Sequence, residues 1–255
     1  MGSEIRRQAE ALGHHVSGWD LPEKDIRDRA LADFDLSARH ASYDLVIHLA
    51  AITSQVEFDE DPRSSFDTNV NGLLNVLEAC RKSRVPRVVF ASSSAVYGPL
   101  NGYAASKLMG ETLFNSYIHR GCFQGPVLRF FNVYGPHEES KGDCKSIVSQ
   151  FLETIEKRGE VVVYGDGEQR RDFIHVRDVA RMTLELSDRT GTFDIGTGRP
   201  MSWNEIIEVL KAYGLKFRVR HIENPLKDYQ LKTKALNPPL KAEISVEDGI
   251  LDLIK

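Results

Sequence analysis

The sequence predicts an α/β protein built on a doubly wound parallel sheet. Two near-continuous apolar runs point to it: Tyr43 to Ala51, reading YDLVIHLAA, and Val88-Val89-Phe90. Such runs suit parallel strands buried on both faces, because antiparallel strands with a wet face alternate instead. The third observation is that stretches with helical spacing lie between the runs, which is the βαβ pattern of a parallel sheet.

In chain order, Ser3 to Leu12 has helical spacing and ends at Gly13, a suitable C-terminal cap. His15 to Asp20 reads as a short strand closing on an acid, and Asp25-Ile26-Arg27-Asp28 as a charged helix start. After the strand at Tyr43 to Ala51, Phe58 to Lys82 is predicted as one long helical stretch. The run at Val88 then delivers Ser92, Ser93 and Ser94 to a strand's C-terminal end, where open α/β sheets keep their chemistry. Good helix formers follow from Ala104 to Glu111. Val127 to Asn132 is a further apolar strand, Ile147 to Arg158 a helix, and Val161 to Gly167 a strand with a tight turn. Phe193 to Gly198 repeats the strand-and-turn pattern, and Ser202 with Glu205 forms a capping box for the next helix.

Composition excludes several classes. At 255 residues, with 41% apolar and 27% charged residues, the chain can bury a core for one large α/β domain, with or without a smaller lobe. A formal charge of -4 and the lack of a basic stripe argue against nucleic acid as a partner. Cys80, Cys122 and Cys144 are too few and too scattered for a zinc site or a disulfide framework, so no metal is expected and a reducing cytoplasm fits best. No apolar run is long enough to span a bilayer.

The chemistry concentrates around Tyr103 and Lys107, four residues apart and therefore on one helix face. A free phenol, with a pKa of about 10, is a poor base at neutral pH, but a neighbouring ammonium favours the phenolate. Tyr103 is thus a candidate acid/base with Lys107 as its tuner, and Ser93 adds a hydroxyl for the substrate oxygen.

The stretch VVFASSSAVYGPLNGYAASKLMGE resembles the Ser/Tyr-x-x-x-Lys site of the extended short-chain dehydrogenase/reductases, the NAD-dependent epimerase/dehydratase group acting on nucleotide sugars. The segments HLAA, NVNG, VLRFFNVYGP and RDFIHVRDV are similar to that family as well. The resemblance implies a Rossmann-like NAD domain over residues 1–131 and a substrate lobe mainly over 132–255, with 173–196 packing back on the first domain. It gives cofactor contacts to Gly2, Asp20, Asp25, Ile26, Leu49, Ala50, Ala51, Thr53, Asn69, Tyr103, Lys107 and Phe130. Asp20 would bind the adenosine ribose and repel a 2′-phosphate, which selects NAD over NADP. Ser94, Asn132, Tyr164 and Arg171 would hold the substrate, with Arg171 gripping its diphosphate.

Three departures from the family pattern stand out. The first strand and the glycine-rich turn that cradles the pyrophosphate are not in this sequence, where only Gly2-Ser3 match. Between Gly98 and Tyr103, four residues replace a longer family insertion. Asn224 to Gln230 stands where many members carry an arginine, with Lys227 as its stand-in.

The implied activity is NAD-dependent epimerisation of a nucleotide sugar, of the UDP-glucose/UDP-galactose 4-epimerase kind, in a homodimer. A 4,6-dehydratase is disfavoured because Ser94-Ala95 occupy the positions of its Asp-Glu pair, and a keto-sugar reductase because Asp20 opposes NADPH. The alternative from another class is a nucleotide-sugar-binding protein without catalysis.

Overall fold

The computed structural model describes residues 1–19, 25–33, 43–99, 101–138, 145–223 and 232–254. The chain divides into two compact units, Met1–Arg129 with Ala180–Phe193, and Phe130–Val179 with Asp194–Lys255.

From the N-terminus the elements are α1 (Gly2–Ala11), β1 (Leu45–His48), α2 (Gln55–Glu60), α3 (Pro62–Phe66), α4 (Leu73–Lys82), β2 (Arg87–Ser93) and α5 (Gly102–His119). Then come β3 (Pro126–Phe130), β4 (Asn132–Tyr134), α6 (Ile147–Arg158), β5 (Glu160–Tyr164), β6 (Arg170–Arg171), β7 (Phe173–His175) and α7 (Val176–Glu185). The chain ends with β8 (Gly191–Ile195), β9 (Met201–Ser202), α8 (Trp203–Ala212), β10 (Arg218–Ile222) and α9 (Val246–Ile254).

The parallel sheet predicted from the apolar runs is present, with strand order β1-β2-β3-β8. β1 and β2 run parallel in the register Leu45↔Arg87 to His48↔Phe90. Val88 to Ser92 are all buried, which is why the run shows no alternation. In the first unit Leu73 and Leu77 of α4, Phe90 of β2 and Phe114 of α5 share one core. Gly110 lets α5 close on the sheet: a Cβ there would stand 2.6 Å from Phe90 Cζ.

Several expected elements differ, among them the helix start at Asp25–Asp28, where the chain makes a turn before a 3-10 helix at Arg29–Asp33. Residues 15–19 form no strand, while Trp19 packs on the first unit's core. A strand exists only where its amides and carbonyls find a ladder partner, and among the described residues no strand is laddered to 15–19. The long helix expected over Phe58 to Lys82 is broken at Asp61, whose φ of -137° and ψ of 77° precede Pro62. Proline disfavours α geometry in the residue before it, and the Asp61 carboxylate re-caps α3 by accepting from the Ser64 amide at 3.0 Å. A π-helical turn, Asp67–Gly72, then leads into α4.

In the second unit, Tyr134, Phe151, Phe173, Trp203 and Ile206 belong to one core. β4 pairs with β7, β5 with β10 in parallel, and β6 with β9 in antiparallel. The single strand expected over Val127 to Asn132 divides at Phe131 into β3 and β4. α6 ends at Gly159, which takes a φ of 62°, left-handed geometry that glycine adopts without strain. The expected capping box forms at Ser202 and Glu205. No described helix is long and apolar enough to cross a membrane.

Candidate active site

β2 ends at Ser93, within a run of three consecutive serines. Ser92 is buried, Ser93 is half-buried, and Ser94 opens a short 3-10 turn, Ser94–Tyr97. The Ser93 hydroxyl accepts from the Ala95 amide at 3.2 Å, which fixes the turn. α5 starts with the Asn101 side chain accepting from the Ala104 amide at 2.8 Å, so the short connection after Gly98 still closes into a capped helix. Tyr103 therefore lies in the first turn of α5, with its ring edge-on to Phe58 at 6.1 Å.

One turn on, Lys107 is only 5% exposed. Its ammonium donates to the Ala91 carbonyl at 2.8 Å and stands 5.9 Å from the Tyr103 ring centroid. Burial pushes the Lys107 pKa down to about 8, against the pull of the Glu111 carboxylate. His48 is buried, stacks on Phe90 at 6.1 Å, and is pushed down to about 3 by burial and by the Lys107 charge, so it stays neutral.

The expected tuning of Tyr103 needs correcting for the chain by itself. Its pKa is raised, because burial of the phenol outweighs the hydrogen bond from Ser93. The lysine spacing placed the two groups on one face, but only burial decides which way the phenol moves.

The loop after β1 is held by Asn69 in the π-helical turn. Its Oδ1 accepts from the Ile52 amide at 2.8 Å, and its Nδ2 donates to the Ile52 carbonyl at 2.9 Å and to Ser106 Oγ at 3.0 Å. Asn69 thus fixes the backbone of the segment carrying Leu49, Ala50, Ala51 and Thr53, and ties it to α5. Ala50 and Thr53 are exposed, Leu49 and Ala51 half-buried. Gly2 opens α1 beside Leu49, where an added Cβ would meet Leu49 Cδ1 at an ordinary 3.6 Å. The Asp25 carboxylate is engaged by Arg27, through Nη2 at 2.6 Å, and the Ile26 carbonyl accepts from Asn75 Nδ2 at 2.9 Å. Asp20 lies outside the described residues.

In the second unit, Phe130 closes β3 and is buried. Asn132 opens β4, where its Nδ2 donates to Thr233 Oγ1 at 3.0 Å. Tyr164, at the end of β5, is 43% exposed. Arg171 on β6 donates from Nη1 to the Arg170 carbonyl at 2.9 Å. Arg170, in contrast, turns to Glu205, with Nη2 2.8 Å from both carboxylate oxygens. Lys227 is not among the described residues. The structure therefore brings Ser93, Tyr103 and Lys107 together in the first unit and carries Asn132, Tyr164 and Arg171 on the second.

The profile of the NAD dependent epimerase/dehydratase family matches residues 1–196. The chain belongs to this family. Members alike over most of their length include a Methanocaldococcus jannaschii protein whose assignment as a UDP-glucose 4-epimerase is itself provisional. It is 33% identical over 248 residues, covering 89% of this chain and 80% of that protein. An ADP-L-glycero-D-manno-heptose-6-epimerase of Pseudomonas paraeruginosa is 32% identical over 260 residues, covering 89% and 72%. The crystal structure of the Thermus thermophilus UDP-glucose 4-epimerase with NAD is 28% identical and superposes with a TM-score of 0.80 over 98% of this chain and 93% of that one.

NAD is the family's cofactor, and the first unit suits it. An ammonium has three N–H donors, of which Ala91 takes one of Lys107's, beside a half-buried phenol. The small, exposed Ala50 and Thr53 lie on a loop whose backbone is already fixed by Asn69.

Three charged residues escaped sequence reasoning, two in the first unit and one in the second. Glu111 is buried one turn beyond Lys107, and Ser92 Oγ donates to its Oε1 at 2.6 Å. Arg129 forks onto the same carboxylate, Nε to Oε1 at 2.9 Å and Nη2 to Oε2 at 2.7 Å, and Nη1 donates to the Tyr97 hydroxyl at 2.6 Å. Two signals were available: the spacing that extends Tyr103 and Lys107 to Glu111, and an arginine inside the apolar run VLRFF. A second buried acid, Asp172, accepts from the Thr197 amide and hydroxyl at 2.8 and 2.6 Å and from the amides of Gly198 and Ala235 at 2.8 Å.

Proposed function

We propose that the chain is a nucleotide-sugar epimerase that interconverts the C4 epimers of a UDP-hexose, as a UDP-glucose 4-epimerase does. The observation that carries the reading is a half-buried phenol beside the Ser93 hydroxyl, one helical turn from a buried lysine on the same helix. The family and the epimerase names of its relatives support it.

When bound, NAD supplies the reversible two-electron oxidation of the sugar carbinol, and the chain supplies the proton handling. Tyr103 takes the proton of the sugar hydroxyl and returns it when the opposite face is reduced, so the reaction is redox-neutral overall. Ser93 holds the same oxygen by a hydrogen bond. Lys107 would offset part of the cost that burial sets on the Tyr103 phenolate, and with NAD bound it would hold a ribose hydroxyl of the nicotinamide nucleoside. Gly2, Asp20, Asp25, Ile26, the Leu49 to Thr53 loop and Phe130 complete the cofactor contacts, with Asn69 bracing that loop. Ser94, Asn132, Tyr164 and Arg171 take the nucleotide sugar, with Arg171 on the diphosphate. Elimination of water from the sugar would need an acid/base pair where this chain has Ser94-Ala95.

The active form is a homodimer. Leu108 and Met109 on α5 and Leu74 on α4 are 37%, 49% and 37% exposed, apolar side chains that a second copy would cover, which light scattering of the purified protein tests.

The deciding experiment quantifies NAD released from the denatured protein and assays interconversion of UDP-glucose and UDP-galactose. Near-stoichiometric NAD and a rate lost in Tyr103→Phe are expected. Full activity in that variant refutes the assignment, whereas absence of NAD with stabilisation by UDP alone replaces it by a non-catalytic sugar-nucleotide-binding role.

A further inference from the structure

We propose that Glu111 is a positioning residue for the Tyr103–Lys107 pair, with Arg129 as its counter-charge and Ser92 and Tyr97 as its anchors on the strand end that presents Ser93. The proposal rests on the roles given above to Tyr103 and Lys107.

Four observations carry it. Glu111 is 6% exposed, so its carboxylate has no water to lean on, and it lies one helical turn beyond Lys107. Its Oε1 accepts from Ser92 Oγ at 2.6 Å, which pins α5 to the residue next to Ser93. Its two oxygens receive the guanidinium fork of Arg129 at 2.9 and 2.7 Å, a geometry that fixes direction as well as distance. Beyond the fork, Arg129 holds Tyr97, donating to its hydroxyl at 2.6 Å with the guanidinium 4.8 Å from the ring centroid. Tyr97 ends the 3-10 turn that begins at Ser94. The network thus clamps both sides of Ser93 to the helix that carries the phenol and the ammonium.

It also sets the field at Lys107. The titratable groups shown to act on or face that ammonium are Tyr103 and Glu111 on α5 and neutral His48 on β1, with Arg129 of β3 bound to the Glu111 carboxylate. Glu111 favours the charged lysine; Arg129, forked onto the same carboxylate, brings a charge of the opposite sign to it. A group that served packing alone would have no such sign.

The sign is the test. In the cofactor-free chain labelled with 13C-lysine, the Lys107 signal is identified by its loss in Lys107→Arg and titrated by NMR. Glu111→Gln removes the favourable charge and should lower the Lys107 midpoint by about one pH unit. Arg129→Met removes the opposing one and should raise it. Tyr97→Phe keeps every charge and should leave it unmoved. Midpoints that do not move, or move the same way in both charge variants, overturn the proposal. Should Glu111→Gln fail to fold, Arg129→Met decides alone: a rise supports the proposal, a fall or no change overturns it. An inactive wild-type protein with oppositely shifted midpoints would instead refute the epimerase reading and leave the pairing intact.

Discussion

Replacing Lys107 with methionine should make the first unit more stable at pH 7 while abolishing activity. Methionine keeps the unbranched chain and removes a charge that is 5% exposed. In the folded chain burial depresses the lysine from an ordinary 10.5 to about 8. At about 1.4 kcal/mol per pH unit, that depression corresponds to roughly 3 kcal/mol of lost stability at pH 7. Losing the hydrogen bond to the Ala91 carbonyl returns about 1 kcal/mol of that, so the net gain should be about 2 kcal/mol. Between pH 8 and 10.5 the unfolded chain binds more protons at this lysine than the folded one, so wild-type stability rises with pH across that window. The methionine variant should lack this rise. Urea unfolding in a Trp203→Phe background, where Trp19 reports on the first unit, measures both effects at pH 7, 9 and 10. A variant less stable than wild type at pH 7, or one that keeps the same slope, would refute the reasoning.

Other outcomes follow from the same physics. His48, held neutral down to about pH 3 against an ordinary 6.5, should cost stability as pH falls below 6.5, about 2 kcal/mol by pH 5; in His48→Leu acid titration of unfolding should flatten there. Asp172→Ala strands four donors in a fully buried position, from Thr197, Gly198 and Ala235, and should destabilise the second unit by about 3–5 kcal/mol, read as the Trp203 urea midpoint.

Much of the site was legible in the sequence because helix and strand periods are local. The Tyr103–Lys107 spacing put both side chains on one face of α5 whatever surrounds that helix. The break before Pro62 was equally local and could have been read from Asp61-Pro62 itself, had the apolar spacing on either side not suggested one continuous helix. Asn69 was legible as a brace by resemblance, and the structure adds why it can act as one: both ends of its amide are bonded to protein.

By itself the sequence determined the parallel sheet, from strands whose buried faces leave no alternation, and the order in which serine, tyrosine and lysine follow one another. Tertiary structure alone decided the rest. Whether His15 to Trp19 pairs into a strand depends on a partner elsewhere in the chain, not on those residues. Whether the phenol's pKa rises or falls depends on burial, which sums over every neighbour. Glu111 and Arg129 are eighteen residues apart, and no local period connects them. They meet because the fold brings Arg129 at the end of β3 onto α5 within one unit, where its charge offsets the cost of burying the carboxylate.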